Sequence, residues 1–138
     1  ARLFEKVRSE DNIRNKDYIL ISEPDGLASI SLTENKVFVN VVELSKLTDE
    51  QIMFVFAHEF GHISEQGRPL AGTKAGEHFA DFYALLLINE MDIPVLSAIS
   101  VFHAPVFGPG NAHSDSHGSP NERYTRLLEK AKEAGMKL

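Results

Sequence analysis

Met53-Phe54-Val55-Phe56-Ala57-His58-Glu59-Phe60-Gly61-His62 ends an apolar run with two histidines four residues apart. On an α-helix that spacing stacks both imidazoles on one face, with Glu59 projecting beside them. Burying two imidazoles and a carboxylate among Met, Phe and Val without partners would cost several kcal/mol. A bound cation removes that cost, and imidazole nitrogen combined with carboxylate oxygen suits zinc. The H-E-x-x-H pattern therefore predicts one zinc ion per chain, held by His58, His62 and a third protein ligand, with a water in the fourth position. Gly61 costs about 1 kcal/mol relative to Ala inside a helix, and its presence predicts close packing or access to the metal there.

The third ligand is expected on the next helix. Thr73 reads as its start, and from Ala75 to Glu90 the residues Phe79, Phe82, Tyr83, Leu86 and Leu87 recur at helical spacing. Glu77 and Asp81 lie one turn apart on it. Glu77 is the candidate ligand, and Asp81 is expected to accept a hydrogen bond from the back of a ligand histidine, His58, fixing its tautomer. His78 points about 100° away around the helix and is the weaker ligand candidate. The aromatic residues read as core in preference to a specificity pocket.

Around this pair the chain alternates more weakly. Leu3, Phe4, Val7 and Ile13 suggest a short amphipathic helix before Asp17. Tyr18 to Ile21 and Leu27 to Leu32, separated by Pro24-Asp25-Gly26, read as a hairpin or meander. Lys36 to Val42 is the best strand by its β-branched content. Its residues Val37, Phe38, Val39 and Asn40 are the candidate substrate-binding edge, where an extended peptide could add as a strand. Thr48, with Glu50 and Gln51 behind it, opens the H-E-x-x-H helix, expected to run to about Ser64. Pro94 opens a shorter helix to about Phe102. A Gly, Pro and Ser loop follows, and Arg123 to Lys132 closes the chain as a helix. The expected fold is α+β: one zincin-like domain over residues 1–138, with a small antiparallel or mixed sheet packed on the H-E-x-x-H helix and the following E-x-x-x-D helix.

Composition narrows the function. The net charge of -6 and the absence of any Lys and Arg run argue against nucleic acid as a partner. With no cysteine, thiolate ligands, disulfides and a Cys nucleophile are excluded. Ala84 to Phe102 is broken by Asn89, Glu90, Asp92 and Pro94, so no transmembrane segment is expected. No signal peptide is visible in the first residues, so a soluble protein is the expectation, with the cytoplasm favoured and the localisation otherwise open.

Three segments resemble the gluzincin metallopeptidases, in particular the HtpX-like and CaaX prenyl-protease-like enzymes and their small soluble relatives, the minigluzincins. They are Phe54 to Ile63, similar to the active-site helix of that family, Glu77-His78-Phe79-Ala80-Asp81, similar to its E-x-x-A-D signature, and His117-Gly118-Ser119-Pro120-Asn121-Glu122-Arg123. The last looks like a late H-P-x-x-x-x-R element with Gly118 in place of Pro. The resemblance implies hydrolysis of peptide bonds in peptides or unfolded proteins. Glu59 would be the general base, His117 the donor to the developing oxyanion and Arg123 its brace. The membrane helices of the family are missing, so lipidated or membrane-embedded substrates do not carry over. A zinc-stabilised regulatory or binding module, latent or non-catalytic, is the alternative, and Glu59 favours the enzyme.

Overall fold

The computed structural model describes residues 2–10, 19–22, 28–31, 36–64, 67–70, 72–104 and 119–138. Its longest helices are α3 (Asp49–Ile63) and α4 (Lys74–Glu90), and these two make the main packing contact. Thr48 caps α3 in a reciprocal box: its hydroxyl accepts from the Gln51 N–H at 3.2 Å, while Gln51 accepts from the Thr48 N–H at 2.9 Å. Gln51 also donates to Ser100 at 3.0 Å. Thr73 caps α4 by accepting from the Gly76 N–H at 3.0 Å. A Cβ on Gly76 would run into the Leu70 carbonyl oxygen, so this glycine lets the 3₁₀ turn Arg68–Leu70 lie on the start of α4.

Helix α3 is buried almost all round, which explains its apolar run. On one side lies α1 (Arg2–Glu10), with Phe4 edge-on to Phe56 at 5.3 Å and tilted against Phe60 at 5.3 Å. On others lie α5 (Val95–Ile99), the 3₁₀ turn Ser100–His103 and the small sheet. Fully buried side chains such as Phe54, Ile63, Leu85, Ile88 and Ile99 each contribute roughly 1.5–3 kcal/mol to holding these elements together. Among the described residues no helix is long and apolar enough to cross a membrane.

Among the described residues the chain is mostly helical and its sheet is minimal. The strands are β1 (Ile19–Ser22), β2 (Ala28–Ser31) and β3 (Lys36–Val39), in the order β1-β3-β2. β3 pairs parallel with β1, Leu20 opposite Val37, and antiparallel with β2, Ile30 opposite Val37. This corrects two expectations. The first two strands do not pair with each other, and β3 is the central strand, hydrogen-bonded on both sides. It therefore offers no free edge for a peptide, and Val37 and Val39 are buried in the core. The strand also ends before Asn40. The Asn40 side chain accepts from the Glu43 N–H at 3.1 Å and starts the helical turn α2 (Val41–Leu44), so local capping overrides the β preference of Val41-Val42. Val37, Phe38, Val39 and Asn40 are thus a core strand and a cap, in place of a substrate edge.

The last helix, α6 (Pro120–Glu133), starts three residues before Arg123. Ser119 caps it by accepting from the Glu122 N–H at 3.1 Å, with Pro120 in the first position, where its missing N–H is no loss. Pro94 likewise serves as the cap of α5 instead of its first residue.

Candidate metal centre

The geometry of the centre begins with Gly61. A Cβ there would stand 2.9 Å from the Ala80 Cα and 3.1 Å from the Tyr83 Cβ, so only glycine allows the present α3–α4 approach. With Ala80 and Ala84 completing the seam on α4, that approach brings Glu77 and Asp81 up to the histidines of α3.

His58, His62 and Glu77 converge. The Nε2 atoms of His58 and His62 lie 3.1 Å apart, Glu77 Oε2 lies 2.6 Å from His62 Nε2, and it lies 3.5 Å from His58 Nε2. A tetrahedral ion bound at 2.0–2.2 Å sets its ligand atoms roughly 3.3–3.6 Å apart. The His58–Glu77 edge at 3.5 Å has that length, while the His58–His62 and Glu77–His62 edges, at 3.1 and 2.6 Å, are shorter; the donors are the two nitrogens and one oxygen that zinc favours. The residues present therefore fit a zinc ion. Glu59 is buried on the same turn of α3, and its charge acts on His58.

Behind the cluster, His58 Nδ1 meets Asp81 Oδ1 at 2.8 Å. An ionised carboxylate only accepts, so the bond keeps a proton on Nδ1 and turns Nε2 toward His62 and Glu77. Asp81 is held in turn by Arg123, which donates from Nε to Oδ2 at 2.8 Å and from Nη2 to Oδ1 at 2.7 Å, a buried bidentate pair. The guanidinium lies over the Phe102 ring, 4.5 Å from its centroid. Burial tends to raise the Asp81 pKa, but the bonds from Arg123 and His58 hold it below its ordinary value. Burial by itself lowers the His58 pKa. The hydrogen bonds to Asp81 and Glu77, with the charges of Asp81 and Glu59, outweigh burial and raise it to about 10. So negative an environment favours any cation at this point, proton or metal.

His58, Glu59, His62, Glu77, Asp81 and Arg123 are thus brought to one place. Arg123 reaches it through Asp81. His78 is turned away toward α6, where its Nδ1 accepts from Arg126 at 2.8 Å; burial first, then the Arg126 charge, lowers its pKa. His117 lies outside the described residues. The Asp81–Arg123 pair, between residues 42 apart in sequence, has no local signal in the sequence, and neither does the seat that Phe102 provides.

Residues 2–68 match the family model described as peptidase family M48, just under half of the chain, ending beyond the H-E-x-x-H helix. Over that stretch the chain is similar to this peptidase family, and of the three segments that carried the resemblance the match includes Phe54 to Ile63. Glu77, Asp81 and Arg123 fall outside the matched stretch. No curated protein and no solved structure matches the chain.

Proposed function

We propose that the chain is a zinc-dependent endopeptidase of zincin-like fold, acting on peptides or unfolded protein segments. The observation that carries this reading is the convergence, within 4.8 Å of one another, of His58 and His62 on the helix that also bears Glu59 and of Glu77 from α4. Zinc held by these three residues would polarise the scissile carbonyl and lower the pKa of a water toward about 7. Glu59 takes that water's proton and hands it to the leaving amine, a task for a carboxylate beside the ligands but not one of them. Asp81 keeps His58 in the ligating tautomer, and Arg123 keeps Asp81 in place. His117 serves as the donor to the developing oxyanion, on the strength of the family likeness.

Glu59→Gln tests the assignment. The variant is expected to bind one equivalent of zinc as the parent does, while cleavage of unfolded casein falls by about 10²–10⁴-fold. Undiminished cleavage by that variant would remove Glu59 from the mechanism.

A further inference from the structure

We propose that Phe102 is a positioning residue of this centre: its ring face seats the Arg123 guanidinium and, through Arg123 and Asp81, fixes the orientation of His58. The inference rests on the metallopeptidase reading only for what His58 does once held.

The contacts form a closed circuit. His58 bonds Asp81 at 2.8 Å, Asp81 bonds Arg123 at 2.7 and 2.8 Å, and Arg123 lies 4.5 Å over the Phe102 centroid. Phe102 then meets Phe54 edge-on, with centroids 5.6 Å apart and planes at 78°. Phe54 is four residues before His58, one turn down the same helix α3. The path thus leaves α3 at His58, crosses α4, α6 and the 3₁₀ turn after α5, and returns to α3.

Each link restricts a different freedom. The Nε and Nη2 donors of Arg123 define the edge that meets Asp81, but a two-point edge contact still lets the guanidinium plane roll about that edge. A ring against its face stops the roll. Arg123 and Phe102 are 6% and 4% exposed, so water does not weaken the attraction between the cation and the negative ring face. Phe102 is itself held edge-on by Phe54, so the seat is rigid.

A plain core role for Phe102 depends on its shape, whereas the seat depends on the electron density of its ring face. Fluorination separates the two, because it withdraws that density and nearly preserves the shape. The whole chain would be prepared with mono-, di- and trifluorinated phenylalanine at position 102. Two quantities are read: the zinc dissociation constant by chelator competition, and the His58 Nδ1–H resonance of the metal-free chain by NMR. The expected result is a stepwise loss of affinity reaching about tenfold, with the Nδ1–H resonance moving or broadening in the same order. Affinity and resonance that stay flat across the series would overturn the proposal. Phe102→Leu should exceed the trifluorinated chain in both readouts, and if it fails to fold the fluorinated series still decides. Should the parent bind no zinc, the metallopeptidase reading fails, while the metal-free resonance still tests Phe102.

Discussion

Glu77 and Asp81 stand one turn apart on α4 and are similarly dry, at 7% and 3% exposure, yet they keep different company. Asp81 meets a fixed positive charge in a bidentate pair, and its Oδ1, which accepts from Arg123 Nη2, also accepts from the His58 Nδ1–H. That cluster is complete with residues of the chain. Glu77 meets two imidazole nitrogens that lie only 3.1 Å from each other, too close for both to present lone pairs without a proton or an ion between them. Its cluster is a group that could hold a metal ion, and binding one would couple it to the solution. On the proposed reading one carboxylate serves the fold and its neighbour the metal, and substitution should tell them apart.

The largest effect is expected at the self-contained cluster. Asp81→Ala leaves the Arg123 guanidinium buried without its counter-charge and should destabilise the metal-free chain by about 3–5 kcal/mol, read by urea unfolding; a loss below 1 kcal/mol would show that the pair holds nothing together. The next effect separates the two. Zinc at about 100 times its dissociation constant should add about 2.7 kcal/mol to unfolding stability. This gain should vanish in Glu77→Ala and on chelation, and its survival in that variant would move the third ligand elsewhere. Gly61→Ala tests the seam beneath both carboxylates: forcing a methyl against Ala80 and Tyr83 should cost about 1–3 kcal/mol and weaken zinc binding as well. Smallest is Thr48→Ala, which removes a cap far from either cluster. It should lower stability by about 1 kcal/mol with zinc affinity unchanged, and a fall in affinity there would mean that the start of α3 is coupled to its end.

Much of the helical frame could be read from the chain, because its signals are local. Thr48 with Gln51, Thr73, the Gly61 packing signal and the period from Phe79 to Leu87 concern residues a turn or two apart, and they mark α3 and α4 directly. The sheet was less legible. A four-residue strand carries no information about its neighbours, so nothing in Lys36–Val39 distinguishes a central from an edge strand, and the β-branched Val41-Val42 concealed the cap at Asn40. In the site, the two histidines were visible from spacing and the two carboxylates from order along the next helix. Arg123 was visible only as part of a late motif, which suggested His117 as its partner. Its contact with Asp81 depends on how α6 docks, a tertiary outcome that no short window of sequence encodes. Ser119-Pro120, by contrast, is a helix-start signal that could have placed the beginning of α6 correctly.

The missing methyl at Gly61 works as a caliper. Because one contact sets the gap between α3 and α4, the reach of Glu77 to the imidazoles and the grip of Asp81 behind them are a single adjustable quantity. A change that widened the gap would slacken both together, so neither distance can drift independently. Variants with altered metal preference should therefore arise from exchanging the side chain at Glu77 or His62, and seldom from moving the helices that carry them.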